Sequence, residues 1–208
     1  MKRRLLLLII AFLPLIAFGA KKQFTNAEEA KQIFDKVYQM VFGPQGARLH
    51  YDVNIIGIYK TSGTITYKGK KQQFSDERVD TWNDGITAYM AYRKKKTVEI
   101  HRADSDKKDK YSGKFKFHPE DFTYSMERAD SEITLKLKQN KDAKGTIKEV
   151  RATLDAATLT PKHLKVKVAF FWTNVYISNF RSGGITDNTF VFPRSKYVNA
   201  GFKFVDKR

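Results

Sequence analysis

Histidine and cysteine are the residues from which most metal and thiol chemistry would start. The sequence has four histidines, which lie far apart and form no ligand motif such as H-E-x-x-H: His50, His101, His118 and His163. It has no cysteine, which excludes thiolate-bound zinc and a catalytic thiol. We therefore interpret the histidines as surface residues of strands and predict no metal site.

Two adjacent acidic pairs, Asp76-Glu77 and Glu120-Asp121, are the candidates for acid–base chemistry. Neighbouring residues of a strand point to opposite faces, so pairs of this kind are usually solvated. No nucleophile elbow, phosphate-binding loop or dinucleotide fingerprint accompanies them, and Ser182-Gly183-Gly184 is typical of a turn. The sequence therefore predicts a protein that is not an enzyme and that needs no cofactor.

The first twenty residues, "MKRRLLLLIIAFLPLIAFGA", predict a secretory signal peptide. A basic start is followed by an apolar run from Leu5 to Phe18 and by small residues at the end. The alternative is a membrane anchor, but the run is short for a span and contains Pro14. We expect cleavage after Gly19 or Ala20, and without cysteine no lipid can be attached next to that site.

A large excess of basic residues dominates the 208-residue chain. The formal charge is +17, or +14 once Lys2, Arg3 and Arg4 leave with the signal peptide. In a cytosolic protein this charge would suggest nucleic acid, but export favours an anionic lipid or an acidic protein partner. The alternative is a surface that lysine merely keeps soluble. We expect no binding to nucleic acid.

The stretch "FTNAEEAKQIFDKVYQMVFG" predicts one amphipathic helix. Thr25 and Glu28 are spaced as a capping box, and Gly43-Pro44 ends the pattern. Apolar residues recur at helical spacing on one side: Ala30, Ile33, Phe34, Val37, Tyr38 and Val41. This stripe is wide and aromatic, so the helix must cover an apolar surface.

From Ala47 onward the apolar residues alternate with a period of two, which predicts strands joined by polar turns in an antiparallel meander. The segments are "RLHYDVNII", "SGTITYKGKKQQF", "RVDTW", "ITAYMAY", "KTVEIHR", "EITLKLKQ", "TIKEVRATLD", "HLKVKVAF", "NVYISNF" and "TFVFP". Asn83-Asp84-Gly85 predicts a hairpin turn. Residues 102–131 are interpreted as a loop with one or two helical turns near Pro119, inserted between two halves of the sheet. We expect residues 21–208 to form a single domain.

An apolar sheet face of this length needs a cover, and one helix with a short helical insert is little cover for so many strands. Two outcomes satisfy this constraint. The sheet closes into a filled barrel or sandwich, or it curves around a hydrophobic cavity with the helices as a lid.

The order of elements and several local motifs resemble the LolA family of periplasmic lipoprotein carriers. "SGTITYKGKKQQF" is similar to the family's Gly-x-hydrophobic strand pair and first basic turn, and "WNDGITAYMAY" to its Asn-Asp-Gly hairpin. "VYISNFRSGGITDNTFVF" resembles the closing strands of the family, and "VDKR" a common terminal form. The resemblance covers essentially the whole mature chain.

The resemblance implies an α+β fold: a mostly antiparallel, unclosed half-barrel covered by the N-terminal helix and the helical insert, around a hydrophobic cavity. It implies a periplasmic chaperone that shields the acyl chains of lipoproteins and delivers them toward the outer membrane. Partners would be acylated lipoproteins, or another lipid, and transport components of the inner and outer membranes. We expect a monomer. The alternatives are a carrier or sensor of another hydrophobic molecule, and an interaction module that binds anionic surfaces.

On this interpretation, the apolar residues of helix and strands form the lid and the cavity wall. The lid would be Ile33, Phe34, Val37, Tyr38 and Val41; the wall would be Tyr51, Val53, Ile55, Ile65, Tyr67, Trp82, Met90, Tyr92, Leu135, Leu137, Val166, Val168 and Phe170. The family's lid-holding arginine is missing from the turn at Lys68-Gly69-Lys70-Lys71. Lys70 is the candidate that matches its charge, although it lacks the planar guanidinium group.

Overall fold

The computed structural model describes residues 25–55, 59–105 and 117–208, so the predicted signal peptide lies outside the described residues. Among the described residues, no helix is long and apolar enough to cross a membrane. The elements in chain order are α1 (Asn26–Phe42), β1 (Ala47–Ile55), β2 (Tyr59–Lys68), β3 (Lys71–Asp76), β4 (Val79–Asn83), β5 (Thr87–Tyr92), β6 (Thr97–Arg102), a 3₁₀ helix (Pro119–Asp121), β7 (Phe122–Arg128), β8 (Glu132–Gln139), β9 (Ile147–Asp155), β10 (Pro161–Val168), β11 (Phe171–Ser182), a second 3₁₀ helix (Asp187–Phe190), α2 (Arg194–Asn199) and β12 (Lys203–Asp206).

The helix α1 begins and ends where the sequence predicts. The Thr25 hydroxyl accepts from the Glu28 N–H at 3.2 Å, and the Glu28 carboxylate accepts from the Thr25 N–H at 2.8 Å. These hydrogen bonds complete the capping box, and those from Thr25 hold the pKa of Glu28 below its usual value. At the other end the Gly43 N–H donates to the Gln39 carbonyl.

All described strands belong to one unclosed, curved sheet with the order β12-β6-β5-β4-β3-β2-β1-β11-β10-β9-β8-β7. Two meanders, β1 to β6 and β7 to β11, are joined by the antiparallel pairing of β1 with β11. The predicted α+β, mostly antiparallel half-barrel architecture is therefore confirmed, and the insert lies between the two meanders. The strand β12 departs from the meander because it pairs with β6 in parallel.

Two segments differ from the sequence prediction. "FTYSMER" was expected inside the loop insert, but it forms the edge strand β7, preceded by the single helical turn Pro119–Asp121. "TFVFP" was expected to be a strand, but Asp187–Phe190 is a 3₁₀ helix followed by irregular backbone. In this segment the Phe190 side chain is buried against the rest of the protein, and that packing replaces sheet pairing.

The helix α1 covers one end of the sheet on one face, which we call the helix face. Cross-strand partners point to the same face, so the register assigns Tyr51 of β1 and Met126 of β7 to this face. Beneath α1 lies a packed core cluster: Ala30, Ile33, Phe122, Met126, Ile133, Leu135, Leu137, Ile147 and Leu154. Burying this many large side chains is the main favourable contribution at this end of the sheet.

The C-terminal segment, residues 185–206, covers the other end of the sheet on the opposite face. Tyr197 of α2 and Phe204 of β12 pack there against Trp82, Ala91 and Val98. Phe192 stacks on Tyr89 with ring centroids 4.4 Å apart. The two covers therefore lie on opposite faces of the same sheet, at opposite ends of the strand order.

The predicted hairpin of β4 and β5 has apolar side chains on both faces of the sheet. Its turn is confirmed: Gly85 has a φ of +96°, and the Asp84 carboxylate accepts from the N–H groups of Ile86 and Thr87. Tyr89 faces the C-terminal segment, whereas Met90 lies on the helix face. The C-terminal segment thus explains why the face of β5 that carries Tyr89 is uncharged.

A charged cluster anchors the C-terminal segment to β4. The Asp80 carboxylate accepts from Arg93 at 2.6 Å, from the Ser75 hydroxyl at 2.5 Å and from the Tyr197 hydroxyl at 2.9 Å. Burial raises the pKa of Asp80, but these hydrogen bonds outweigh it and hold the pKa below its usual value. Burial and the same carboxylate raise the pKa of Tyr197.

The tether between α1 and the edge strand is testable. The Asn26 side-chain amide donates to the Met126 carbonyl and accepts from the Met126 N–H, both at 2.9 Å. Asn26→Ala should lower the free energy of unfolding by about 1–2 kcal/mol, because two part-buried backbone groups lose their partner. Urea unfolding measures the change. The exposed Lys36→Ala is the control, and an equal effect in both variants would contradict the role of Asn26.

The charged cluster should make stability depend on pH. The folded pKa of Asp80 lies below the unfolded value, so its stabilisation is complete above the unfolded pKa and is lost as pH falls through the folded pKa. Asp80→Asn should cost about 1.5–3 kcal/mol near neutral pH, because hydrogen bonds to a charged acceptor are lost. Thermal unfolding at several pH values should show this difference shrinking in acid. Exposed Glu77→Gln is the control, and a pH-independent cost would refute the assignment.

Candidate functional site

The first half of α1 rests on the edge of the sheet through aromatic contacts. The Phe34 ring lies 5.2 Å from the Tyr124 ring and 6.0 Å from the Phe117 ring, measured between centroids. The Tyr124 hydroxyl donates to the Pro119 carbonyl at 2.8 Å. Burial raises the pKa of Tyr124 to about 12, so this tyrosine stays neutral and keeps its donor.

The last turn of α1 reaches the middle of the sheet. The Phe42 ring packs edge-on against the Tyr67 ring of β2 at 4.7 Å, and burial raises the pKa of Tyr67 to about 12. The Gly69 N–H donates to the Phe42 carbonyl at 3.0 Å, and the Ser182 hydroxyl donates to the Met40 carbonyl at 3.0 Å. The helix thus reaches across the helix face from β7 to β2.

Polar contacts hold α1 chiefly at its two ends. At the first turn, Asn26 is tied to Met126 as described above, and Arg128 donates to the Glu29 carboxylate at 2.5 Å between exposed groups. At the last turn the contacts come from Gly69 and Ser182. Between these ends the inner side of the helix is apolar, so it can separate from the sheet without leaving buried charges unpaired.

Two rows of aliphatic side chains, here called the apolar rows, cross the helix face. The register of successive strands defines them: the first row is Leu137, Val150 and Val166, and the second is Leu135, Ala152, Leu164, Val175 and Val53. The two leucines of β8 are buried, whereas the members on β9, β10, β11 and β1 are half-buried. Cover by the protein itself therefore weakens from the edge of the sheet toward its middle.

The apolar rows offer contact to an aliphatic chain and little else. No member carries a charge or a hydrogen-bonding side chain, so the surface selects for apolar shape rather than for a polar group. An enclosed hydrophobic cavity beneath α1 stays a prediction. Two open clefts have volumes of about 520 and 530 Å³: one lies beside Asp52 and Lys60 and includes Val53 of the second row, and the other lies beside Lys71 and Arg194.

The structure places the predicted lid residues on the side of α1 that faces the sheet or at its margin. Ile33 and Val41 are buried, Phe34 and Val37 are half-buried against the core cluster, and Tyr38 is more exposed. Tyr38 nevertheless contacts two neighbouring rings of the same helix, those of Phe34 and Phe42.

The predicted wall residues are brought together only in part. Those on the helix face are Tyr51, Val53, Ile65, Tyr67, Met90, Tyr92, Leu135, Leu137, Val166 and Val168. Trp82 lies on the opposite face against Phe192 and Tyr197, and Phe170 lies exposed in the turn between β10 and β11. The side chain of Ile55 lies outside the described residues.

Lys70, the predicted gating residue, is exposed in the turn between β2 and β3. Its neighbours Lys68 and Lys71 pair with Asp187 at 2.9 and 3.2 Å and, with Lys68 contributing most, hold the pKa of Asp187 below its usual value. Gly69 of the same turn bonds to the end of α1. The turn therefore contacts both covers of the sheet through residues other than Lys70.

The sequence analysis missed three residues of the second apolar row: Ala152, Leu164 and Val175. They alternate with polar residues in strands that were predicted correctly, so the alternation was a signal that they share a face with the selected residues. His101 also differs from its interpretation as a surface residue, because it is buried. Its Nε2 lies 3.2 Å from the Glu99 Oε2. The described residues contain no cluster of ligands that could hold a metal ion.

No family model matches the sequence, and no curated protein is significantly similar to it. Among solved structures, an uncharacterized conserved protein from Thermus thermophilus has a TM-score of 0.57 at 9% identity, over 86% of this chain and 99% of that chain. A putative outer membrane lipoprotein-sorting protein domain from Vibrio parahaemolyticus has a TM-score of 0.44 at 11% identity, over 83% and 99%. A LolA superfamily protein from Nitrosomonas europaea has a TM-score of 0.39 at 10% identity, over 79% and 98%.

Similarities at these identities concern the fold alone. The Thermus protein shares the architecture over nearly its whole length. With its N-terminal helix laid across one unclosed, curved and mostly antiparallel sheet, the chain shares the fold of this Thermus protein.

Proposed function

We propose that this protein is a periplasmic carrier that shields the acyl chains of lipoproteins and delivers them toward the outer membrane. The observation that carries the proposal is the pair of apolar rows on the helix face. Their members on β9 to β1 are half-buried under a helix whose polar contacts are concentrated at its ends. A surface of this kind gains stability when an aliphatic chain covers it.

The energetics suit transport rather than permanent binding. Each buried CH₂ group of an acyl chain contributes about 0.8 kcal/mol, so even partial cover of a chain gives useful affinity. The same rows are already partly covered by α1, so ligand and helix compete for one apolar face. This competition lowers the net affinity and lets the cargo leave.

Lipoproteins are the acylated ligands that the sequence resemblance favours. A signal peptide over residues 1–20 would place the carrier in the periplasm, where lipoproteins need shielding between the two membranes. Transient contacts with transport components of the inner and outer membranes follow from the same assignment. The chain would act as a monomer of residues 21–208.

Substitutions on the second apolar row should weaken ligand binding. Val53 and Val175 are direct cross-strand partners on the helix face. Val53→Gln and Val175→Gln should each reduce the affinity for a fluorescent fatty acid, and for a synthetic diacylated peptide, about five- to tenfold, because an amide replaces apolar contact of roughly 1–1.5 kcal/mol. Asn54→Gln, on the same strand but on the exposed opposite face, is the control. Equal affinities in all variants would show that the apolar rows are not part of the binding site.

Competition between helix and ligand can be measured with a single introduced thiol, because the chain has no cysteine. Ile33→Cys places a thiol on the buried side of α1, and Lys36→Cys places one on its exposed side. Saturating diacylated peptide should speed labelling of the Ile33→Cys variant severalfold and leave that of the Lys36→Cys variant unchanged, since the ligand displaces α1. Slower labelling of the Ile33→Cys variant with ligand would show that α1 stays in place.

The cargo can be identified directly. Protein purified from an envelope extract should carry a diacylglyceryl-cysteine polypeptide, detected by mass spectrometry of the intact complex. A free lipid or pigment in its place would support a carrier function but would show that the cargo is not a lipoprotein. Protein that takes up no acyl ligand, although it is folded, would overturn the proposed function.

A further inference from the structure

The hairpin that joins β10 and β11 ends in an exposed aromatic tip, which we define as Ala169, Phe170 and Phe171. The turn has two residues, because Val168 and Phe171 are direct partners, and Ala169 has a φ of +52°. Phe170 is 89% exposed and Phe171 is 65% exposed. Two adjacent phenylalanines at this exposure cost solubility, and the packing of the described residues gives no structural reason for them.

A cluster of cations lies directly behind the tip, on the opposite face. The Arg151 guanidinium lies 5.0 Å from the centre of the Trp172 ring, and the ammonium groups of Lys165 and Lys167 lie at 5.3 and 5.9 Å. Arg151 also donates to Glu149. We call Arg151, Lys165, Lys167 and Trp172 the basic cluster.

The order of side chains along this hairpin matches the layers of a bilayer interface. Phenylalanine stands at the end, Trp172 follows with Lys167 as its direct cross-strand partner, and Lys165 and Arg151 come behind them. In a membrane, phenylalanine favours the acyl boundary, tryptophan the headgroup level, and lysine the anionic surface. We propose that the aromatic tip and the basic cluster form a docking site for an anionic lipid bilayer.

Charge complementarity favours a bilayer over a protein partner. The chain carries a formal charge of +17, or +14 without Lys2, Arg3 and Arg4 of the predicted signal peptide, and either charge attracts it to an extended anionic surface. The tip is a convex projection of two rings, which suits insertion between lipids, whereas protein partners are usually held by complementary pockets.

The tip also lies far from the last turn of α1. Strand β11 runs from Phe171 at the tip to Ser182, whose hydroxyl donates to the Met40 carbonyl of α1. Val166 and Val168, on the helix face, are close to the tip in β10. Docking by the tip would therefore bring the half-buried residues Val166 and Val168 next to the bilayer, while leaving α1 free to move. The docking site does not depend on the proposed cargo.

Vesicle sedimentation tests the site. The full-length mature protein should bind vesicles of phosphatidylcholine with phosphatidylglycerol and should bind phosphatidylcholine alone at least tenfold more weakly. Phe170→Ser with Phe171→Ser should weaken binding about tenfold or more, because the inserted apolar area is lost. Ile86→Ser, which removes an exposed apolar residue from another hairpin turn, is the control and should bind as the unchanged protein does.

Charge substitutions test the second half of the site. Lys165→Gln and Lys167→Gln should each weaken binding to anionic vesicles about fivefold, and added salt should reduce this difference. Lys94→Gln and Lys95→Gln, in the exposed turn between β5 and β6, are matched controls. Equal losses for both pairs would mean that net charge, rather than the basic cluster, drives binding, and would overturn the proposal.

Tryptophan fluorescence reports whether the hairpin itself enters the bilayer, which a purely structural role of these residues would not produce. The chain has two tryptophans, so Trp82→Phe leaves Trp172 as the reporter. Its emission should shift to the blue on anionic vesicles and should be quenched by brominated lipid. No binding, no shift, or unchanged binding without the two phenylalanines would overturn the docking site. Val53→Gln should not alter vesicle binding, which separates this outcome from failure of the carrier proposal.

Discussion

A twelve-stranded unclosed sheet has two long faces, and its apolar side chains need cover on whichever face they occupy. In this protein the apolar side changes along the strand order. From β8 to β1 the aliphatic residues lie on the helix face, whereas on β4 to β6 the largest apolar residues, such as Trp82 and Tyr89, lie on the opposite face. One helix and one C-terminal segment each cover the end of the sheet where most of these apolar groups face them.

This division leaves the middle of the helix face incompletely covered. The core cluster is tight at β7 and β8, where Leu135 and Leu137 are buried, and it loosens toward Val175 and Val53. A longer helix or a second one would bury these rows and gain stability. The incomplete cover is thus a cost to the fold, and under the proposed function an acyl chain would supply the missing contacts.

Much of the fold was predictable because period-two alternation marks strands whatever their partners. The capping box of α1 and the turn at Gly85 were equally local signals. The face of each strand was not predictable, because alternation shows which residues share a face within one strand and not how neighbouring strands align. Trp82 and Met90 were grouped for this reason, although the register of β4 with β5 puts them on opposite faces. Strand β7 was missed because its alternation, from Phe122 to Met126, directly follows the helical signal at Pro119.

The turn between β2 and β3 joins the two covers and gives the sheet a mechanical link. Its Gly69 N–H bonds to the end of α1, and Lys68 and Lys71 of the same turn pair with Asp187 of the C-terminal segment. A backbone donor holds its geometry whatever side chain stands next to it, so α1 can be fixed here without an arginine at the position of Lys70. The exposed lysine pairs with Asp187 are individually weak. The C-terminal segment also bonds to the backbone just after α1, because the Ile185 N–H donates to the Gln45 carbonyl at 3.3 Å. The two covers are therefore linked at two places on the sheet, and the backbone bonds rather than the lysine pairs fix their positions.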